Sequence, residues 1–377
     1  MRVAICFLMA GSLALAANAV PLVASPSDGQ GFDSGPLVDI THEQELATEA
    51  GLKWLVEHQN ADGSWTSKVG FKLNNTYKYT LSDRGHVGVT ALAGMAFLAG
   101  GHLPGRGEYR ESVDRTLNFV LSCVQEDGYI TQAGTRMYSH AFATLFLAEI
   151  YGMTHREDVR LKLQKSVDFI VKCQNTEGGW RYVPLARESD MSIVVCQVLA
   201  LRAARNIGIR VPKSTIDRAA RYVVDSAVTS ANTLGFTTSY RGEIGTFRYQ
   251  KETRSRSSFP LTAAGVTALH GLGIYSDELI RKGVDYLNEE IDSFNSNRGR
   301  SGHYFFWYGH YYGVQAMYTQ GGRDWENYFT KLRAFLLEMQ ESDGSWPNRE
   351  GPGSAFGTAT AVLILEIPYC FLPIFQR

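Results

Sequence analysis

The sequence predicts an all-α protein built from six pairs of helices, and two recurring patterns are the evidence. The first is an amphipathic helix, as in the stretch around Phe169, where apolar residues recur at helical spacing and charged residues occupy the other side. The second is a helix that is apolar almost all round, as between Ile193 and Leu201, which is typical of a buried helix. An outer amphipathic helix followed by an inner buried helix is therefore the repeating unit.

Self-similarity along the chain gives six copies of this unit. Each amphipathic helix carries an aromatic residue at the equivalent position: Trp54, Phe119, Phe169, Tyr222, Tyr286 and Phe335. An apolar helix rich in small residues is predicted after each of them: Val87–Ala99, Tyr138–Tyr151, Met191–Ala204, Leu261–Leu272, Trp307–Tyr318 and Gly357–Ile367. The predicted fold is therefore six inner and six outer helices.

Three of the outer helices are followed by the same short motif, a glutamine, a glycine four residues later and a tryptophan two residues after that. The copies are Gln59, Gly63 and Trp65; Gln174, Gly178 and Trp180; and Gln340, Gly344 and Trp346. Glycine permits the left-handed turn after a helix, and glutamine can satisfy backbone groups at the helix end. Tryptophan can pack between neighbouring units. We interpret these nine residues as structural.

With its preceding aromatic residue, this motif resembles the Q-W repeat of squalene and hopene cyclases and the related repeat of protein prenyltransferase β subunits. The resemblance covers almost the whole chain after the N-terminal segment. It implies an α/α toroid, in which six outer helices surround six inner ones. It also implies an isoprenoid or another apolar substrate in a central cavity and, for an enzyme, a squalene-cyclase-like isomerase.

The N-terminal residues have the pattern of a targeting segment. Arg2 gives a positive start, an apolar stretch follows, and Ala17-Asn18-Ala19 fits a cleavage site, so residues 1–19 are predicted to be a signal peptide. Residues 20–42 are rich in Pro, Ser, Gly and Asp and are interpreted as a flexible lead-in. The repeat domain then spans residues 43–377. We expect an exported protein, periplasmic or extracellular.

Charge and cysteine content restrict the function classes. A net charge of −1, with no surplus of basic residues, argues against a nucleic-acid partner and leaves an apolar small molecule or lipid as the expected one. Four cysteines follow the signal peptide, and we interpret all of them as buried thiols: Cys123, Cys173, Cys196 and Cys370. Helix axes about 8–10 Å apart do not favour disulfide bonds between them.

Two polar excursions and the C-terminus complete the chain. The excursions span residues 66–84 and 237–258, and the second is basic: Arg241, Arg248, Lys251, Arg254 and Arg256. We interpret it as a solvated loop; covering one mouth of the ring or binding an anion are the alternatives. Residues 367–377 are apolar but contain two prolines, so a strap packed on the ring is predicted, with a peripheral membrane contact as the alternative.

A carboxylate pair precedes the third inner helix, in Glu188-Ser-Asp190-Met-Ser192. Class II terpene cyclases carry Asp-x-Asp-Asp-Thr at such a position, and its middle Asp protonates an alkene or epoxide. The resemblance thus implies Asp190 as the catalytic acid, assisted by Glu188. Met191 replaces the last carboxylate of that pattern, which puts the acidity of the site in doubt. The alternative is that Asp190 or Ser189 caps the helix.

Aromatic residues at the start of the fifth inner helix, together with a histidine of the second, are the candidate substrate-binding residues: His140, Trp307, Tyr308, His310, Tyr311 and Tyr312. Their ring faces could stabilise carbocations, and core packing is the alternative. His310 also resembles the histidine zinc ligand of prenyltransferases. The nearest match to their Asp-x-Cys ligands is Asp190-Met-Ser192, and serine is a poor zinc ligand. We therefore expect neither a metal nor a cofactor.

Two further functions stay open at the level of sequence. One is a non-catalytic toroid that binds a lipid or a protein partner. The other is a carbohydrate-active toroid, which for glycoside hydrolysis would need two facing carboxylates. The sequence does not place such a pair.

Overall fold

The computed structural model describes residues 38–67, 83–233, 243–252, 254–299 and 302–375. The predicted signal peptide, most of the lead-in, most of the excursion at 66–84 and Arg241 lie outside these residues. Within them, helices are joined by turns and by isolated β-bridges, and no strand is present. None of the helices in this part of the chain combines the length and apolar character that a bilayer span requires.

Twelve of the thirteen α-helices in the described residues form the six predicted pairs. The outer helices are α1 (His42–Glu57), α3 (Arg110–Ser122), α5 (Glu157–Cys173), α7 (Lys213–Asp225), α10 (Glu278–Arg298) and α12 (Gly322–Met339). The inner helices are α2 (Val87–Ala99), α4 (Met137–Thr154), α6 (Met191–Asn206), α9 (Phe259–Gly271), α11 (Tyr304–Gln320) and α13 (Ser354–Glu366). The remaining helix, α8, is a single turn at Ser230–Thr233.

The inner helices form a closed ring. Each packs against the next in the order α2, α4, α6, α9, α11 and α13, and α13 packs against α2. All residues of α2 are buried, as expected for a helix with neighbours on every side. The outer helices pack around this ring with one apolar face, and α1 lies mainly against α13. The α/α toroid of six helix pairs is thus confirmed.

The glutamine, glycine and tryptophan of each repeat motif join successive units. The indole N–H of Trp65, Trp180 and Trp346 donates to a backbone carbonyl of the preceding outer helix at 2.9, 2.8 and 2.7 Å. Each glutamine amide donates to the carbonyl of its own motif glycine and to a carbonyl of the next outer helix. The motif residues therefore fix each turn onto the neighbouring repeat.

The glycine of the motif is required by both conformation and space. Gly178 has φ +93°, in the left-handed region, and an added Cβ would lie 2.4 Å from the carbonyl oxygen of Arg218. Gly344 has φ +90°, and its Cβ would lie 2.7 Å from the carbonyl oxygen of Ala50. A side chain at either position would push the turn away from the next outer helix.

The C-terminal residues pack on the ring as the predicted strap. Two 3₁₀ turns, Ile367–Tyr369 and Pro373–Phe375, follow α13. Leu372 and Ile374 are buried, whereas the side chain of Phe371 is exposed. Cys370 is only half-buried and lies 3.0 Å from the Tyr318 hydroxyl, which corrects its prediction as a buried thiol. The other three cysteines are free and buried, as predicted.

Candidate functional site

A cavity of about 1040 Å³ opens at the mouth of the ring where α4, α6, α9 and α11 begin. Its wall is rich in aromatic side chains: Tyr138, Tyr182, Tyr249, Phe259, Phe294, Tyr304, Phe305 and Tyr308. Polar side chains also contribute: Arg181, Ser192, Arg256, Ser257, Ser258, Glu290, Ser293 and Asn297. This combination suits an apolar molecule that carries a polar group.

The basic excursion does more than solvate the surface. Its described part lies at the cavity, where the backbone N–H of Met191 donates to the Tyr249 carbonyl at 2.8 Å. Lys251 pairs with Glu177 at 3.5 Å, and the buried Arg248 donates to the Ala227 carbonyl. The Arg256 guanidinium lies over the Tyr249 ring, 5.2 Å from its centroid. The described part of this segment therefore contributes to the cavity wall, and the interpretation that the segment covers one mouth of the ring stays a prediction.

Asp190 is the N-cap residue of α6 and is fully buried. Its two carboxylate oxygens have different surroundings. Oδ1 accepts the Ile193 backbone N–H at 3.1 Å and a short hydrogen bond from the Ser192 hydroxyl. Oδ2 is buried and has no hydrogen-bond partner within the described residues. The capping interpretation is thus realised by one oxygen, while the other remains available for chemistry.

Burial raises the pKa of Asp190 to about 6. The hydrogen bonds from Ser192 and Ile193 act in the opposite direction, because they stabilise the ionised form, and so does the charge of Arg181. The Tyr249 hydroxyl also lowers this pKa, although it lies beyond direct hydrogen-bond distance from Oδ2. Asp190 is therefore a weakly acidic carboxyl that changes its protonation state near neutral pH.

Glu188 does not share the buried site of Asp190. Its side chain is 69% exposed, and its carboxylate accepts a hydrogen bond from Arg181 at 2.7 Å. Instead of lying beside Asp190 as an assisting carboxylate, Glu188 forms an ion pair with Arg181 at the rim of the cavity. Because Glu188 partly neutralises Arg181, its effect on Asp190 is indirect.

Tyr308 lines the cavity, but Trp307 and His310 on α11 bond to residues outside the cavity wall. The Trp307 indole donates to the Pro347 carbonyl at 3.2 Å and lies against the following repeat. His310 hydrogen-bonds through Nδ1 to the Tyr328 hydroxyl and through Nε2 to Asn295 Oδ1. Burial lowers the pKa of His310 to about 3, so its ring is neutral. Adjacent positions on a helix point in different directions, which sequence clustering alone does not reveal.

Tyr311 and Tyr312 lie beneath Tyr308 rather than in the cavity wall. The rings of Tyr308 and Tyr312 meet edge to face with centroids 4.8 Å apart, and those of Tyr311 and Tyr312 at 4.9 Å. The Tyr311 ring also meets Phe142 of α4 across the ring of inner helices. Both hydroxyls are buried. These two residues pack the interior below the cavity.

His140 belongs to the repeat structure and does not line the cavity. Its Nδ1 accepts the Ile130 backbone N–H at 3.0 Å, and its ring packs edge-on against Tyr129 and Phe169. Burial lowers the pKa of His140 to about 3. Thr90 and Thr262 perform the same function in other units, since their hydroxyls accept the backbone N–H of Trp65 and Phe247. The histidine thus replaces a structural threonine.

Sequence reasoning missed the contribution of an outer helix. The C-terminal half of α10 supplies four side chains to the cavity: Glu290, Ser293, Phe294 and Asn297. With 21 residues, α10 is longer than the other five outer helices. The sequence did contain a signal for this contribution, because a polar helical pattern continues well beyond Tyr286. Among the described residues, no cluster of three or more His, Cys, Asp or Glu side chains is arranged to hold a metal ion.

The fold and this cavity define a class of protein, a closed double ring of helices with a pocket at one mouth. Residues 34–238, more than half of the chain, match the family described as prenyltransferase alpha-alpha toroid domain. The chain therefore belongs to this family. No curated protein matches the sequence.

Solved structures with the same fold differ in function. The type II terpene cyclase MstE from Scytonema has a TM-score of 0.56 and 15% identity over 88% of this chain and 100% of its own. The GH76A alpha-1,6-mannanase from Salegentibacter sp. HEL1_6 has a TM-score of 0.60 and 10% identity, covering 87% and 99%. Cellobiose 2-epimerase from Bacillus thermoamylovorans B4167 has a TM-score of 0.57 and 12% sequence identity. The match covers 87% of this chain and 98% of the epimerase chain. At these identities the likeness shows the fold alone.

Proposed function

We propose that the protein takes an isoprenoid or a similar apolar molecule into the cavity at the mouth of the ring. We further propose that Asp190 acts on it as an acid, as in a class II terpene cyclase. The supporting observation is a buried carboxyl with a raised pKa and a free Oδ2, placed behind a wall of aromatic side chains. Aromatic ring faces stabilise a neighbouring cation, which a protonated alkene would be.

The surroundings of Asp190 fit both of its protonation states. In the neutral acid, Oδ2 can carry the proton, because none of the residues that the structure describes donates to this oxygen. After the proton leaves, the carboxylate is stabilised by the Ile193 N–H, the Ser192 hydroxyl and the N-terminus of α6. The Arg181 charge acts in the same direction. The N-cap position therefore supports the conjugate base of the acid.

Product analysis tests this proposal directly. Wild-type protein and Asp190→Asn are incubated with a panel of linear polyprenes, with Asp168→Asn on the outer helix α5 as a matched control. We expect a cyclised or isomerised product from the wild type and the control, and none from Asp190→Asn. A wild type that neither binds nor converts any member of the panel would contradict the proposal.

The polar side of the cavity favours a second candidate, carbohydrate binding. Arg181, Glu290 and Asn297 could bind sugar hydroxyls, and aromatic rings pack well on sugar faces. Hydrolysis is less well supported, because it uses two facing carboxyls. Among the described residues that line the cavity, Glu290 supplies the one carboxylate. Calorimetric binding of manno-oligosaccharides, with no binding of polyprenes, would replace the first proposal by this one.

We also propose that the protein acts outside the cytoplasm. The proposal rests on the N-terminal pattern of residues 1–19 and on the small residues at Ala17 and Ala19. N-terminal sequencing of the mature protein should begin at Val20. A mature protein that retains Met1 would contradict export by this route.

A further inference from the structure

A single stretch of the chain, residues 256–261, lines the cavity without interruption and contains an arginine, two serines and the first turn of α9. We propose that this stretch binds a negatively charged end of the ligand, with the Arg256 guanidinium as the main contact. The inference rests on the proposed function and identifies its ligand as an apolar chain that ends in one negatively charged group, such as a carboxylate.

The Arg256 side chain is positioned by two aromatic rings from separate segments. Its guanidinium carbon lies 5.2 Å from the centroid of the Tyr249 ring and 5.9 Å from that of Phe305, and both rings belong to the cavity wall. Its backbone is also held, because the Arg256 carbonyl accepts the Tyr249 N–H at 2.8 Å. An arginine that lies over ring faces keeps the N–H groups at its edge available for an anion. The side chain is therefore oriented without the use of its donors.

The charge of Arg256 is not balanced by a direct contact, whereas two neighbouring cations are paired. Arg181 pairs with Glu188 at 2.7 Å, and Lys251 pairs with Glu177 at 3.5 Å. Within the described ranges of the chain, no carboxylate forms an ion pair with Arg256, and its contacts are the two rings. Anion binding is one of the alternatives that the sequence left open for residues 237–258. Arg256 is the residue of that segment best placed to do it.

The start of α9 also favours a negative charge beside Arg256. The N-terminal end of a helix carries a partial positive charge from its backbone dipoles. At α6 the Asp190 carboxylate already caps this end. At α9, which has 13 residues, the N-cap residue Ser258 makes no capping hydrogen bond with its side chain, and the first turn contains no acidic residue. The helix end therefore adds to the attraction of the guanidinium.

The charges of the wall limit the ligand to about one negative charge. Glu290 is the one carboxylate among the described lining residues, and in that part of the chain it pairs with neither arginine. A diphosphate would bring more charge than Arg256 can balance, and Glu290 would repel the excess. A carboxylate carries one charge, and its two oxygens match the planar guanidinium. The aromatic part of the wall is then left for the apolar chain.

Two isoprenoids that differ only at one end test the inference. Geranylgeranoic acid and geranylgeraniol share a C20 chain, and the wild type should bind the acid about tenfold more tightly at about pH 7.5, the value of one charge-assisted hydrogen bond. Arg256→Gln should abolish this preference. Arg254→Gln is the matched control and should keep it, because Arg254 is exposed and lies outside the cavity wall. Equal binding of acid and alcohol by the wild type, or a preference that survives in Arg256→Gln, would overturn the inference.

Salt separates the contribution of charge from that of shape. An increase in sodium chloride from about 0.1 M to about 1 M shortens the screening length from about 10 Å to about 3 Å. The wild type should then bind the acid more weakly, whereas Arg256→Gln should not respond in this way. An affinity of the wild type for the acid that does not fall with salt would contradict an ionic contact.

Two further ligands distinguish the charged end from the apolar chain. If geranylgeranyl diphosphate binds more tightly than the acid, the assignment of a single charge is wrong. If palmitic acid binds in the wild type but not in Arg256→Gln, and no isoprenoid binds, the anion site stands and the proposed isoprenoid function fails. If both isoprenoids bind equally well, the proposed function stands and the anion site fails.

Discussion

The two oxygens of Asp190 separate a structural function from a chemical one. Oδ1 caps α6 through the Ile193 N–H, and Oδ2 is buried and accepts no hydrogen bond from the part of the chain that the structure describes. A residue that only capped a helix would favour a solvated carboxylate with a normal or lowered pKa. Burial instead raises the pKa of Asp190 to about 6. Asp190 therefore combines a helix cap with a carboxyl that changes its protonation state near pH 6.

Substitution of Asp190 should separate these functions in stability measurements. Asparagine retains an oxygen that can accept the Ile193 N–H, whereas alanine retains none. We expect Asp190→Ala to lose about 0.5–2 kcal/mol of unfolding free energy and Asp190→Asn to lose much less. Denaturant titration of both variants measures the difference. Equal losses would show that the cap does not depend on the side-chain oxygen.

Glu149 on α4 is a second buried carboxyl, and its burial should make stability depend on pH. Its Oε2 accepts the Ile374 backbone N–H at 3.3 Å, and burial raises its pKa to about 8 from an ordinary value of 4.5. Both states are neutral below pH 4.5. As the pH rises towards 8, the unfolded chain ionises freely while the folded protein does not. The native state therefore loses stability over this interval.

Glu149→Gln should remove this pH dependence. Glutamine keeps an oxygen for the Ile374 N–H and cannot ionise. The variant should match the wild type near pH 4.5 and exceed its stability by an amount that grows up to pH 8, at most about 1.4 kcal/mol per pH unit. Denaturation across this range measures the difference, with the exposed Glu326→Gln on α12 as control. A constant difference at all pH values would contradict burial as the cause.

At the scale of elements, the turn after an outer helix is the unit that connects the repeats. Trp346 is fully buried, its indole donates to the Leu336 carbonyl, and its backbone N–H donates to Thr358 Oγ1 at 3.0 Å. These contacts tie the end of α12 to the start of α13. Trp180 occupies the same position in the third unit, immediately before Arg181 and Tyr182 of the cavity.

Trp346→Ala and Trp180→Ala should therefore differ in one property only. Each should lower the unfolding free energy by about 3–5 kcal/mol, the value for a buried aromatic side chain. Trp180→Ala should also weaken ligand binding in the fraction that stays folded, because it releases the segment that carries Tyr182. Thermal denaturation measures the loss of stability. Binding of a linear polyprene, measured at low temperature, shows the effect on the cavity. If Trp180→Ala binds the polyprene as tightly as the wild type does, the repeat motif does not position the cavity residue Tyr182.

The repeat explains why the fold could be predicted and the site only in part. Periodicity and the Gln-Gly-Trp spacing are local, so the sequence contains enough information to place all six helix pairs. The direction of a side chain within the first turn is not local. His140 is turned outwards by the Ile130 N–H, and His310 by Asn295 and Tyr328. Tyr249 reaches the cavity through an irregular segment whose path no periodicity specifies.

The whole molecule depends on one seam, where the last repeat meets the first. Gln340 donates to the Ala47 carbonyl of α1 at 2.9 Å, and the Trp54 indole donates to Asp343 at 3.1 Å. The motif glutamines of two earlier units also accept hydrogen bonds from an arginine of the next outer helix, Arg115 for Gln59 and Arg218 for Gln174. At the seam, Ala50 occupies the equivalent position of α1. The glutamine contact at the seam therefore lacks the arginine of the interior ones, while Arg333 supplies other hydrogen bonds there, to the Asp39 carbonyl and to Gln44.

Gln340→Ala should open the ring locally rather than unfold it. The substitution leaves the carbonyls of Ala47 and Gly344 without this donor, at a cost of about 1–3 kcal/mol. In a repeat array, a weakened interface first releases the terminal element. Backbone amides of α1 should then exchange with solvent faster, about tenfold for each 1.4 kcal/mol, while those of α6 keep their rate. Gln174→Ala, in the interior of the array, is the matched control and should not accelerate exchange in α1. Equal acceleration in α1 and α6 would show instead that the ring opens as one cooperative unit and that the seam is no weaker than the other interfaces.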